Sequence, residues 1–305
     1  MEEQGRKRMG LRLGEPQLVA QTEDVIGEVP VWNGATNMLS WIDILKPAFH
    51  VLDVSTGEVT TTVPPEKLGS YGLTASGALI VGGRGGIAIW DPPTGAFQRL
   101  SSPEADRPDN ILNDGRVGPD GRFLIASMDK RLAGPNGRMW QVSDAGTALV
   151  QDGEIFLPNA ISWSPDGGTV YFGDSHTNLI FAYDYDIASG AVSNRRLFAD
   201  TSSLPGDCDG ASVDAEGYLW NARFGGGCLI RFAPDGSTDD IVPVPVDKPT
   251  HVIFGGPDLT RLYITTARFR TDPADLARQP MAGGVIAIES EVKGQPEPLY
   301  GVPGS

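Results

Sequence analysis

The chain has 305 residues, including 39 glycines and 24 prolines, about a fifth of the total against roughly 12% in average usage. Turn-forming residues in that proportion, spread evenly, exclude a long helical bundle, while a 40% hydrophobic fraction with 8% aromatics supplies a sizeable core. The 24 Lys and Arg face 39 Asp and Glu; the resulting net charge of −15 repels nucleic-acid phosphates and anionic membrane surfaces and leaves cations, neutral solutes or proteins as partners.

In chain order, Met1 to Gly10 is charged and no apolar signal core precedes Pro16, so the sequence predicts an unprocessed, cytoplasmic protein with two reduced thiols, Cys208 and Cys228. From there a repeat takes over. The phrase Asp-x-x-Thr/Ser-Gly-x-apolar recurs at Asp53 to Val59, Asp91 to Phe97 and Asp186 to Val192, each time after an alternating apolar run, and reads as the turn of an outer hairpin. A second phrase sets a glycine between two shorter apolar runs, at Gly77, Gly121, Gly167 and Gly217, spaced by 44, 46 and 50 residues. With flanking copies around VPVWNGATNMLSWID and VIFGGPDLTRLYITTA, the units number six, of two hairpins each. Four strands at about 45 residues is the signature of a propeller blade. The prediction is a six-bladed β-propeller with four antiparallel strands per blade, one domain over 1–305 with blades over about 24–290 and short extensions at both ends. A helical turn is expected around Pro273 to Arg278.

The residue entering the innermost strand of each blade lies at the mouth of the central channel. Counting eight back from the turn glycines reaches Asn113, Asn159 and Asp209, and the same register gives Glu28, His251 and, in the second blade, Gly69. Pseudo-symmetry would gather these positions into a ring. Glu28, Asn159 and Asp209 form an oxygen set suited to Ca²⁺, Mg²⁺ or Mn²⁺. Asn and Asp before strands also cap turns, so spacing alone leaves both readings open.

The stretches carrying these residues, GEVPVW (27–32), LNDGRVGPDGRF (112–123), LPNAISWSPDG (157–167), DGASVDAEGYLW (209–220) and the run from Val246 to Arg268, resemble the gluconolactonase, regucalcin and luciferin-regenerating-enzyme family over nearly the whole chain. The resemblance implies a metal-dependent hydrolase that opens the ring of a sugar lactone. Glu28, Asn159 and Asp209 would bind one divalent cation, calcium ahead of magnesium, manganese, zinc or iron, and Asp209 would be the general base. It also implies a small-molecule substrate and a monomer or weak homo-oligomer. The alternative is a non-catalytic, calcium- or ligand-binding propeller of the regucalcin type. Asn113, His251 and Asp129 are the candidate substrate contacts. The family's arginine before the Asn-Asp-Gly phrase is absent, since Ile111 stands there, and its acidic residue after the Thr-Met dipeptide would fall near Lys130 or Arg131. Loops starting at Arg84, Asp129, Asp174, Arg223 and Arg268 would line the same mouth.

Other signals carry less. VGGRGGIA at 81–88 lacks the following helix of a nucleotide loop, and Asp207 to Gly210 lacks the spaced ligands of a calcium-binding helix–loop–helix. Three separated histidines, His50, His176 and His251, make no zinc signature, and the tryptophans fall within apolar strands, as core packing requires.

Overall fold

The computed structural model of the chain describes residues 11–304. Strand β1 (Gln17–Gln21) is followed by β2 (Gly27–Asn33), β3 (Met38–Asp43), β4 (Ala48–Asp53) and β5 (Glu58–Thr62), which form one antiparallel sheet. The next sheet comprises β6 (Leu68–Leu73), β7 (Leu79–Gly83), β8 (Gly86–Asp91) and β9 (Ala96–Ser101), and the third β10 (Asn110–Val117), β11 (Phe123–Asp129), β12 (Arg138–Ser143) and β13 (Gly146–Asp152). The fourth holds β14 (Pro158–Trp163), β15 (Thr169–Asp174), β16 (Leu179–Asp186) and β17 (Ala191–Asp200); the fifth holds β18 (Asp207–Val213), β19 (Leu219–Phe224), β20 (Cys228–Phe232) and β21 (Thr238–Pro243). Last come β22 (Pro249–Gly255), β23 (Arg261–Thr266), α1 (Pro273–Leu276) and β24 (Gly284–Glu289). The protein is a six-bladed β-propeller, and its innermost strands meet in succession around the axis, with β22 against β2 closing the ring.

Burial follows position in the blade. Strands β14 and β22 are buried along their whole length because both faces meet other blades, whereas β5 and β9 alternate or lie exposed at the rim. Aromatic wedges fill the space between blades: Phe49 meets Tyr71 edge-on at 5.4 Å and Trp90 at 5.5 Å, and Trp220 meets Phe254 at 5.8 Å. The turn glycines sit where the repeat places them, Gly77 and Gly217 at φ +87° and +90°, a region that side chains rarely adopt. The recurring aspartate of the outer hairpins is a turn residue: Asp53 Oδ1 accepts from the Ser55 amide at 2.8 Å, and hydrogen bonds from Ser55 hold its carboxyl below the usual value. The expected helical turn is α1, capped by Asp272, whose side chain accepts from the Ala274 amide.

Two features lie outside the repeat. The last blade takes its outermost strand from the start of the chain, β1 pairing with β24 from Gln17 opposite Ala287 to Gln21 opposite Gly284. It precedes the boundary at 24 that turn spacing suggests. The C-terminal segment from 293 to 304 crosses the ring at the end where the first hairpins turn, the Tyr300 amide donating to Leu73 O and the Gly301 amide to Gly121 O, both within 2.9 Å. Glu297 in this strap pairs with Arg116 of β10, and both side chains are largely buried.

Candidate active site

Every innermost strand breaks register as it enters the channel. The irregularities fall between Glu28 and Val31, Leu68 and Ser70, Leu112 and Gly115, Asn159 and Ser162, Cys208 and Ala211, and Pro249 and His251. A bulge leaves residues out of the ladder and redirects the chain; Gly69, Asn113 with Asp114, and Asp209 with Gly210 are themselves left out, whereas Glu28 and Asn159 are the last paired residues before the break. Two of the bulges place a residue other than glycine in left-handed backbone, Val29 at φ +49° after Glu28 and Ala160 at φ +57° after Asn159. Such positions cost about 1–3 kcal/mol each and persist where the surroundings hold them.

The ring forms the floor of a cavity of about 500 Å³, within the range of small-molecule sites. Glu28, Gly69, Asn113, Asp114, Asn159 and Asp209 all line it. Glu28, Asn159 and Asp209 are each at most 8% exposed. The Asn159 side-chain nitrogen donates to Ser175 Oγ at 2.8 Å, which leaves its Oδ1 as the donor atom for a ligand. Asn113 Nδ2 donates to Pro158 O at 3.0 Å, tying the third blade to the fourth. Burial, then the facing charges of Glu28 and Asp114, push the Asp209 carboxyl well above its usual value. Burial likewise raises Asp114, against the pull of His251.

This donor set fits a hard divalent cation. Two buried carboxylates and an amide oxygen converge with a third carboxylate close by, and a cation among them would offset the burial and the repulsion that together raise Asp209. Among the described residues no three His, Cys, Asp or Glu side chains form a metal cluster, and the set here is instead carboxylate, amide and carboxylate.

The three expected substrate contacts part company. Asn113 lines the cavity. His251 lies beneath the floor, Nδ1 3.3 Å from Glu28 Oε2 and Nε2 3.2 Å from Ala211 O, so it supports Glu28 and does not face the cavity. Asp129 turns away into its own loop, accepting from the Arg131 amide at 2.8 Å, and is no part of the cavity wall. The same holds for the other loop-start residues. Asp174 accepts the amides of Phe156 and Leu157, Arg223 is wholly buried and donates to Pro205 O and Gly206 O, and Arg268 pairs with Glu23 at 2.8 Å. Arg84 borders a separate hollow of about 250 Å³ between the second and third blades. In four of the five loops the following residue lines the cavity instead: Lys130, Ser175, Phe224 and Phe269. Successive side chains on an extended chain point to opposite faces; the loops are right and the residue is one short.

Sequence reasoning missed Asp114, although it is the neighbour of Asn113. Its Oδ1 accepts from the Gly115 amide at 2.9 Å and its Oδ2 from the Ile161 amide at 3.1 Å, a bond between blades. Two glycines in the ring answer to close approach. A Cβ on Gly69 would lie 2.2 Å from Leu112 O, and one on Gly210 would lie 2.1 Å from Cγ of His251, so the Asp-Gly phrase at 209 and 210 makes room for the imidazole. Cys208 and Cys228 are both free and buried, and burial pushes the Cys208 thiol up to about 12, so it is a packed, unreactive group.

The model of the SMP-30/gluconolactonase/LRE-like region matches residues 26–268. The chain belongs to this family. Among its relatives, a 6-deoxy-6-sulfogluconolactonase of Pseudomonas putida is 36% identical over 92% of this chain and 97% of its own length. An L-arabinolactonase of Azospirillum brasilense is 34% identical over 92% and 94%. The crystal structure of a calcium-binding protein, regucalcin, from Agrobacterium tumefaciens superposes with a TM-score of 0.89 at 30% identity, covering 94% of this chain and 97% of that one. For a luciferin-regenerating enzyme the TM-score is 0.85 at 25% identity, over 96% and 100%. Among the described residues no helix is long and apolar enough to cross a membrane.

Proposed function

We propose that the protein hydrolyses a sugar lactone at the channel floor in a metal-dependent reaction. The observation that carries this reading is the convergence of Glu28, Asn159 and Asp209 on one buried floor, in a chain whose relatives include lactonases acting on different sugars. These three residues would hold one divalent cation, calcium first, which when bound supplies Lewis-acid polarisation of the lactone carbonyl.

The chain's own groups account for the remaining steps. Asn113 and Asp114, side by side on the floor, would orient the ring through its hydroxyls. Asp209 would take a proton from the water that attacks the carbonyl carbon; the ring carbon–oxygen bond then breaks and the leaving oxygen takes up a proton, giving the open hydroxy acid. Burial of Asp209 suits it to this role by raising its proton affinity, an effect that a neighbouring cation opposes. His251 and the Val29 amide, which donates to Glu28 Oε2 at 2.9 Å, keep Glu28 in place.

The test is acid release from a panel of pentono- and hexonolactones, with EDTA and then with Ca²⁺, Mg²⁺, Mn²⁺, Zn²⁺ or Fe²⁺ restored. Asp209→Ala is expected to lower kcat by about 100-fold or more. A panel with no metal-restored turnover would overturn the reading. The second reading, a non-catalytic binder of calcium or of a ligand, draws on Ile111 in place of the family's arginine and predicts calcium binding without turnover on that panel.

A further inference from the structure

The cavity has two chemically distinct levels. Its floor carries the polar ring, whereas the wall above is apolar, built by Ile26, Ile44, Ile111, Met128, Leu157 and Phe224. At the rim stand two cations, Lys130 on the loop after β11 and Arg270 on the loop after β23. These loops belong to the third and sixth blades, which face each other across the six-bladed ring.

Lys130 is paired but shares its counter-charge, and Arg270 has none among the described residues. Lys130 Nζ lies 2.9 Å from Asp109 Oδ1, but Arg131 claims the same oxygen at 3.1 Å, so one carboxylate serves two positive charges. Arg270 is exposed, stacks its guanidinium 4.9 Å from the Phe269 ring and has no carboxylate partner among the described residues. Its loop is built rather than loose. Lys248 Nζ donates to Phe269 O at 2.7 Å and Thr271 Oγ1 at 2.8 Å, fixing the residues on either side of Arg270 and adding a third positive charge beneath it. Asp207 also stands at the rim, where Asn178 Nδ2 donates to it at 2.9 Å without cancelling its charge, so among the described residues Lys130, Arg131 and Arg270 outnumber Asp109 and Asp207 there.

A neutral, fully hydroxylated lactone would bury its distal hydroxyls against the apolar wall, where they have no partners, which is unfavourable. An acidic group on the distal carbon would instead reach past that wall to the rim. Resting on the hydrolase reading above, we infer that the substrate is a sugar lactone bearing one anionic group, carboxylate, sulfonate or phosphate, at the end remote from the lactone carbonyl, and that Arg270, with Lys130 opposite, selects it. The protein's net charge of −15 repels such a molecule at long range, so the cations at the mouth are where an attraction must be built.

The experiment compares kcat/KM, in metal-loaded protein, for a hexonolactone, its 6-phosphate, its 6-sulfonate and the corresponding hexarate lactone. At least one acidic lactone is expected to exceed the neutral one by about tenfold, mainly through KM, with the advantage shrinking as salt is added. In Arg270→Ala the acidic-to-neutral ratio should fall by about tenfold, and Arg270→Lys should restore part of it. The three acidic lactones separate the anion types. Equal kcat/KM for neutral and acidic lactones, or a ratio unchanged in both Arg270→Ala and Lys130→Ala, would refute the anion assignment while metal-dependent turnover leaves the hydrolase standing. No turnover on any of the four refutes the hydrolase reading itself.

Discussion

Gly210→Ala tests the packing beneath the candidate metal centre most directly. The new Cβ would lie 2.1 Å from His251 Cγ and 2.2 Å from its Nδ1, where ordinary contact begins at 3.4 Å. The ring would have to move by about 1.3 Å, yet His251 is 4% exposed and pinned by hydrogen bonds of 3.3 Å to Glu28 and 3.2 Å to Ala211 O, both too long to survive such a shift. Overpacking costs about 1–3 kcal/mol and each of the two lost bonds about 0.5–1.5 kcal/mol, which puts the total at roughly 2–6 kcal/mol. The assay is urea unfolding of a double-mutant cycle with His251→Ala. Removing the imidazole makes room, so Gly210→Ala should cost much less in that background, with a coupling energy of about 1–3 kcal/mol. If Gly210→Ala unfolds at the wild-type urea midpoint, or costs the same with and without the ring, the argument that His251 sets the glycine fails.

Two other outcomes follow from buried charge. Glu297→Ala should destabilise the protein by about 3–5 kcal/mol, measured by urea unfolding, because it strands Arg116 inside the channel without its partner; a change under about 0.5 kcal/mol would mean the strap contributes little. In metal-free protein Asp209 and Asp114 hold protons more tightly folded than unfolded, so their contribution is fully present below the ordinary carboxylate value of 3.8 and is lost as pH rises through the raised values. The metal-free Tm should accordingly lose this contribution as pH increases, and the rise in Tm on adding a divalent cation should grow over the same range. A cation-induced shift independent of pH would contradict it.

The repeat is local, and that is why so much of it can be read from the chain. A hairpin's register is set by its turn, so counting back from Gly121, Gly167 and Gly217 reaches positions that share one place in three dimensions: Asn113, Asn159 and Asp209 do line one floor. The same count fails to say which way a side chain points once the strand bulges or ends. His251 occupies the ring position and yet lies under Glu28, and Lys130, Ser175, Phe224 and Phe269 face the cavity where their preceding neighbours do not. One residue is the whole difference, because side chains alternate with period two.

The sequence by itself determined the blade count, the four-strand blade and five of the floor positions, Glu28, Gly69, Asn113, Asn159 and Asp209, since each depends on contacts within about 45 residues or on equivalence between repeats. Tertiary structure decided everything that joins distant parts of the chain. Completion of the last blade by β1 against β24, the strap that carries Glu297 to Arg116, and the placing of Lys130 and Arg270 on opposite sides of one mouth each link segments with no shared pattern. Such pairings leave no periodicity to detect, because the geometry that selects them exists only when six sheets have closed around an axis.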